Sequence, residues 1–403
     1  MSTDPGGWGL VQSCQPLPYG VFTDATSPQP RVGVAVGDAV LDLTAATARL
    51  LPEHAELFRG GSLDPLLAAG RGTWTAVRAA LIRWLTDDRP AELLAPLLVP
   101  VAGVRMRLPF TVADYVDFYS SEHHATNVGR IFRPGQPPLP PNWRHLPIGY
   151  HGRAGTVVVS GTPVVRPSGP RRLPDGTLSC GPSSALDFEA EVGFVVGTAS
   201  PLGRPVPLAD FAAHVFGVCL VNDWSARDIQ VWESTPLGPF LGKSFATSVS
   251  PWVVPLDALS AARIRPPTRD PRPLAYLDDT GAEPWGLNLT LEVRLGGHPI
   301  SRPPFAGMYW TAAQQLAHLT VNGAALRTGD LFASGTVSGA EPNQRGSLLE
   351  LSWNGTHPIT LPDGGTRSFL ADGDEVSITA TAPGPDDTTM SLGEVRGRII
   401  PGR

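Results

Sequence analysis

The run Asp187-Phe188-Glu189-Ala190-Glu191-Val192-Gly193-Phe194-Val195-Val196 sets two carboxylates at i and i+2 inside an apolar stretch. Read as a strand, it turns Glu189 and Glu191 to one side, roughly 7 Å apart, and Phe188, Ala190 and Val192 to the other. Two such carboxylates repel unless water or a shared cation lies between them. An isolated Glu-x-Glu is more often the wet face of an edge strand; the alternative is half of a cation site. Oxygen donors at this spacing suit a hard ion such as Mg²⁺ or Ca²⁺, which needs further carboxylates. Asp117 and Asp223, each in apolar or aromatic context, are the acids best suited to supply them. Zinc fits less well, because no cysteine or closely spaced histidine pair joins the set.

Three further groups carry possible chemistry. Lys243 is the only lysine in a chain that otherwise uses arginine for its positive side chains. Lysine is a compact ammonium on a flexible stem, suited to an oxyanion or the edge of a metal site, whereas arginine is a planar fork. A compositional bias that spared one lysine is the plainer reading. Upstream lies Asn222-Asp223-Trp224-Ser225-Ala226-Arg227-Asp228-Ile229-Gln230, following Val218-Cys219-Leu220-Val221. Polar groups this dense beside an apolar run are unfavourable to bury unless paired or used. His124 follows Asp117 by seven residues; its neighbour His123 points elsewhere on any helix, so at most one of the two enters a site. Glu350, in Leu348-Leu349-Glu350-Leu351-Ser352-Trp353, reads either as a solvent-facing strand residue or as a buried partner that orients a histidine.

These groups need elements to hold them. Residues 8–43 read as short strands, with a hairpin turn at Gly37-Asp38. Residues 44–97 carry Ala and Leu at helical spacing. Strands are expected over 156–165, 188–196, 289–295, 348–353 and 375–381, and helices over 210–216 and 311–319. Ser120 or Ser121 is placed to cap a helix carrying His124. Proline-rich segments at 134–141 and 266–273 read as surface loops. The segment Ala333-Ser334-Gly335-Thr336 is small enough to let backbone approach a ligand, and the loop over 142–153 mixes Trp143, Arg144, His145, Tyr150, His151 and Arg153.

The 403 residues hold 42% hydrophobic side chains, with 44 Gly and 43 Pro and no repeat period, which suits many short strands joined by turns. A net charge of −6 without a basic block argues against nucleic acid. No apolar run is long enough for a membrane span, and residues 1–7 do not read as a secretory signal. Cys14, Cys180 and Cys219 are few, odd in number and far apart, which predicts a reducing cytoplasm rather than a disulfide framework.

Several of these runs together resemble the fumarylacetoacetate hydrolase family. They are Leu17-Pro18-Tyr19-Gly20-Val21-Phe22, Asp117-Phe118-Tyr119-Ser120-Ser121, His124-Ala125-Thr126-Asn127-Val128-Gly129, Leu146-Pro147-Ile148-Gly149-Tyr150-His151-Gly152-Arg153, Asp187-Phe188-Glu189-Ala190-Glu191, the run from Asn222 to Gln230, Gly242-Lys243-Ser244-Phe245 and Ala333-Ser334-Gly335-Thr336. They occur in order across nearly the whole chain. The resemblance implies a mainly β protein: a small N-terminal SH3-like barrel domain over 1–109, with a helical segment, and a larger mixed β-sandwich roll over 110–403 that forms a homodimer. It implies metal-dependent hydrolysis of a carbon–carbon bond in a β-diketo acid, giving fumarate and acetoacetate, the last step of tyrosine breakdown. On this likeness Asp117, Glu189, Glu191 and Asp223 hold Mg²⁺ or Ca²⁺, with a second cation near Asp223, Lys243 and Thr247. An ammonium has no lone pair to give, so Lys243 is expected beside that cation. His124 resembles the general base, paired with Glu350. Arg227, Gln230 and Lys243 resemble the groups around the leaving carbanion, and Tyr119, Arg133, Tyr150, Gln230 and Thr336 resemble substrate contacts. The chain departs from the pattern at Ser234, where the family usually has tyrosine.

Two rival readings follow from the same residues. One is another activity of the superfamily, such as an acylpyruvate hydrolase, decarboxylase or isomerase, which would keep the acidic segments. The other is a cation-stabilised binding module without activity, which would have no use for His124, Glu350 and Lys243 together.

Overall fold

The computed structural model describes residues 16–86, 93–362 and 364–402; Cys14 and the start of the chain lie outside them. The centre of the molecule is built on the most apolar run, Val215–Asp223, whose nine residues are all buried. A strand buried on both faces has no polar alternation, because each face needs its own apolar partner. Val218, Leu220 and Val254 pack with Leu291, Val293, Val376 and Ile378. The intervening Cys219 and Val221 pack with Trp74, Val77 and Leu81 on the other side.

The main sheet runs in the order Leu98–Pro100, Ala39–Asp42, Arg31–Val36, Tyr19–Asp24, Trp252–Pro255, Val215–Asp223, Ala190–Val196, Asp330–Ala333, Asp114–Phe118 and Gly149–His151. The N-terminal strands join it through Tyr19↔Val253 and Gly20↔Trp252. A second, five-stranded sheet runs His298–Ser301, Thr290–Leu295, Glu375–Pro383, Thr389–Ile400 and Val164–Val165. The chain is thus mainly β. Among the described residues, no helix is long and apolar enough to cross a membrane.

Several expectations are met. Val36↔Ala39 closes a hairpin over Gly37-Asp38, with Gly37 at φ +59°. The helix Arg71–Thr86 buries Trp74, Val77, Ala80, Leu81 and Trp84. Thr311 caps Ala312–Thr320 with a reciprocal capping box through Gln314. Others are corrected. The segment expected as a strand over 348–353 is a helical turn, Leu348–Leu351, because the Ser347 hydroxyl accepts from the Glu350 amide and starts a helix there. The helix expected over 210–216 stops at His214, where Val215 is drawn into pairing with Val196. The stretch over 156–165 splits between sheets, Val157–Val159 joining one and Val164–Val165 the other. The 12-residue strand Thr389–Ile400 was not anticipated.

Three strands of the main sheet aim acids at one place. Asp117 sits on Asp114–Phe118, between Ala333 on a parallel neighbour and Tyr150 on an antiparallel one. Glu191 pairs with Val221 in backbone register, two residues before Asp223. Immediately beyond Ala333 the chain turns at Gly335, with φ +77°. A Cβ there would lie 2.1 Å from the Phe118 carbonyl oxygen. Gly335→Ala is therefore expected to destabilise the protein by at least about 1 kcal/mol, read as a lower urea midpoint with an unchanged slope.

Candidate active site

Asp117, Glu189, Glu191 and Asp223 converge, each offering an oxygen, with those oxygens within 4.8 Å of one another. All four are buried. So the edge-strand reading of Glu189 and Glu191 fails: their side of the strand is a dry pocket, not a wet face. Glu189 lies just before the strand Ala190–Val196 and is held by a bridge to Ser347.

The four acids are not equivalent. Burial alone would raise the Glu189 carboxyl, but Arg227 and then Lys243 hold it well below the usual carboxylate range. Arg227 Nη2 donates to Glu189 Oε1 at 2.7 Å, and Lys243 Nζ donates to Oε2. Asp223 receives Lys243 Nζ at 2.8 Å, Thr247 Oγ1 at 2.8 Å and the Tyr150 hydroxyl at 3.3 Å. Burial still raises its carboxyl, against the pull of Lys243. Asp117 and Glu191 are pushed well above the carboxylate range, first by burial and then by neighbouring carboxylates, Asp223 for Asp117 and Asp117 for Glu191. Asp117 Oδ1 and both Glu191 oxygens are buried without a hydrogen-bond donor. Buried acceptors of that kind are costly unless something positive meets them. An oxygen-only set with orphaned, buried oxygens fits a hard divalent cation.

His124 stands at the rim of this cluster. Ser121 caps its helix, Glu122–Phe132, by accepting from the His124 amide. Its Nδ1 lies 2.7 Å from Glu350 Oε2, and its Nε2 lies 3.8 Å from Glu189 Oε1. Glu350 is fully buried; it also accepts from Asn127 Nδ2 and from the hydroxyls of Ser338 and Ser347, each at 2.9 Å. Burial would raise its carboxyl, but His124 and these donors hold it below its ordinary range. An ionised Glu350 fixes the proton on Nδ1 and leaves Nε2 as the acceptor facing the acids.

The other expected residues stand in different relations to this cluster. Gln230 Oε1 accepts from Arg227 Nη1 at 3.1 Å. Tyr119 meets the His124 ring edge-on at 5.4 Å. Thr336 Oγ1 is buried with no partner. Arg133 is tied to the Pro138 carbonyl, at the far end of the helix that carries His124. Ser234 closes the helix Arg227–Glu233 by donating its hydroxyl to the Gln230 carbonyl. Residues that sequence reasoning missed are Asp187, Asn127, Ser338 and Ser347, which hold Arg227 and Glu350. Asn127, three residues after His124 on one helix, was the most findable of them.

Two family models match: Fumarylacetoacetase N-terminal over residues 15–109, and Fumarylacetoacetate (FAA) hydrolase C-terminal over residues 114–400. The chain is 48% identical to the fumarylacetoacetase of Homo sapiens, covering 96% of this chain and 95% of that one. It is 43% identical to the fumarylacetoacetase of Arabidopsis thaliana, with 96% and 95% covered. Among solved structures, a fumarylacetoacetate hydrolase from Exiguobacterium antarcticum aligns with a TM-score of 0.55 at 17% identity, covering 96% and 99% of the two chains. A Sphingobium maleylpyruvate hydrolase in complex with manganese(II) and pyruvate aligns at 0.53 and 17%, covering 96% and 100%. At those identities the likeness is one of fold.

The orphaned oxygens predict a cation-dependent stability. In chelator, raised carboxyl groups at Asp117 and Glu191 mean that the folded state binds more protons than the unfolded one, so stability falls as pH rises above the ordinary carboxylate range. Mg²⁺, Ca²⁺ or Mn²⁺ at about 100 times its Kd is expected to restore about 2.7 kcal/mol. Thermal scans should show this shift in the parent and lose it in Glu191→Gln.

Proposed function

The chain belongs to the fumarylacetoacetate hydrolase family and is a hydrolase; on that premise we propose that it cleaves 4-fumarylacetoacetate with water to fumarate and acetoacetate, the last step of tyrosine and phenylalanine catabolism. One observation carries the reading: the buried His124–Glu350 pair sets its second imidazole nitrogen 3.8 Å from Glu189, one of four converging carboxylates.

Asp117, Glu189, Glu191 and Asp223 would hold a divalent cation. Oxygen-only donors favour Mg²⁺ or Ca²⁺, and Mn²⁺ is the ion in the related maleylpyruvate hydrolase. When bound, such an ion supplies positive charge that polarises a dicarbonyl and accepts enolate charge. The chain's own residues do the rest. His124 Nε2 takes a proton from water, and Glu350 stabilises the imidazolium that results. The hydroxide oxygen bonds to the carbonyl carbon that becomes the new carboxyl of fumarate. Collapse of that adduct breaks the carbon–carbon bond, and the electron pair passes to the acetoacetate fragment. Arg227, Gln230 and Lys243 face the charge that develops there. His124 then returns its proton to that carbon, so atoms and charge balance. Tyr119, Arg133, Tyr150, Gln230 and Thr336 line the space as substrate contacts. Thr247 with Lys243 and Asp223 would border a second cation, Lys243 as a neighbour only.

The same reading carries a division into units at 1–109 and 110–403, which the matched ranges support. It also carries a homodimer, supported by the resemblance and by the exposed Val231 on the helix of Arg227 and the exposed Leu237 and Phe240 that follow it. The small-molecule substrate and the net charge of −6 argue against a nucleic-acid partner. The scattered cysteines support a cytoplasmic setting.

Purified protein with Mg²⁺ or Ca²⁺ is expected to hydrolyse 4-fumarylacetoacetate faster than acylpyruvates, followed by loss of diketone absorbance; the reverse order sinks the reading. His124→Ala should lower turnover by about 10²–10⁴-fold while keeping the cation-induced thermal shift. A variant that turns over at the parent rate removes His124 as the base.

A further inference from the structure

Among the described residues, one fully buried acid belongs neither to the cation pocket nor to the histidine pair. Asp187 is fully buried, on the two-residue strand Leu186–Asp187 that pairs with Ser225–Ala226. Its Oδ1 accepts from the Phe188 amide at 2.8 Å and the Leu348 amide at 2.7 Å. Its Oδ2 accepts from the Leu349 amide at 3.1 Å and from Arg227 Nε at 2.9 Å. One carboxylate therefore grips two distant pieces of the site at once. The first is the guanidinium that also reaches Glu189 and Gln230. The second is the backbone entering the turn that carries Glu350.

A fork such as Arg227 has five donors and several staggered stem rotamers, so one contact to Glu189 leaves it free to swing. Asp187 holds the Nε edge while Glu189 holds an Nη, and together they define the plane of the guanidinium. On the other side, Glu350 sits on a helix of only one turn, Leu348–Leu351. That turn has little stability of its own. The chain before it is laid against the acidic segment by the Glu189↔Ser347 bridge and by the Ala190 amide donating to the Gly346 carbonyl. The next two amides go to Asp187. The carboxylate thus continues, through a side chain, the pairing that the backbone abandons.

We propose that Asp187 is a positioning residue that sets the Arg227 guanidinium and the Glu350 turn in one register, so that the charge-stabilising side and the base side of the site are fixed to each other. The inference rests on the hydrolase reading above for its kinetic consequence, but not for its geometry.

Asp187→Asn tests it. An amide keeps the shape but can no longer accept on both sides; whichever way it turns, an N–H faces donors from Arg227 and Leu349 or from Leu348 and Phe188. With the holoprotein and 4-fumarylacetoacetate, kcat is expected to fall about 10²-fold, while KM stays within about threefold, as for a group whose effect is felt in the transition state. The thermal shift on adding Mn²⁺ should be retained, since the four cation-pocket acids are untouched. A crystal structure of the variant should show the Arg227 guanidinium or the Glu350 carboxylate displaced by more than about 0.5 Å. Parent kcat, or both groups in their parent positions, overturns the inference. If the parent protein itself does not hydrolyse this substrate, the functional reading fails, and the crystal structure alone decides the role of Asp187. If Asp187→Asn does not fold, Asp187→Ser, which keeps one acceptor and leaves room for water, takes its place with the same expected outcomes. Failure of both to fold assigns the residue to folding and overturns the proposal.

Discussion

The structure depends on keeping four carboxylates dry within 4.8 Å of one another. Ionised groups brought together out of water repel strongly and lose their hydration. Lys243 and Arg227 offset part of this, and they do so unevenly. Glu189 receives both and is held ionised, while Glu191 and Asp117 are left with bare oxygens. The pocket is therefore finished on one side and unsatisfied on the other. A divalent cation on the unsatisfied side would complete it, which is why the acid cluster reads as a binding site rather than as a fault in packing.

That constraint explains the surrounding architecture. Carboxylates this close can be held only by rigid backbone, and three of the four sit on or beside central strands buried on both faces. Apolar packing on each side of Val215–Asp223 supplies the rigidity; Val218 and Leu220 serve one core and Cys219 and Val221 the other. The mobile-stemmed groups, Lys243 and Arg227, come from segments outside those strands. They are pinned by the acids they neutralise.

The single lysine acquires a physical reason. Its ammonium touches Glu189 and Asp223 together, a point between two acids from different segments. A compact ammonium can sit there, whereas a planar fork would spread across both and toward the orphaned oxygens. Arg227 does the complementary task, laying one edge on Asp187 and another on Glu189.

The membership of the acid cluster was legible in the sequence, because Asp117, Glu189, Glu191 and Asp223 each interrupt apolar stretches that had to be buried. The pairing of His124 with Glu350 followed only from family likeness, and Glu350 was misplaced on a strand, since Leu-Leu-Glu-Leu satisfies a strand or a helix equally and Ser347 decided the matter locally. Asp187 and Ser338 were invisible as supports, and Asn127 offered only its helical spacing from His124, for their partners lie 12 to 223 residues away or in backbone amides that carry no side-chain signal. What the chain determined by itself was which residues are too polar for their surroundings. Which of them meet, which proton sits on which nitrogen, and which oxygens are left bare were decided by strand register and packing, because those distances exist only once remote segments are pressed together.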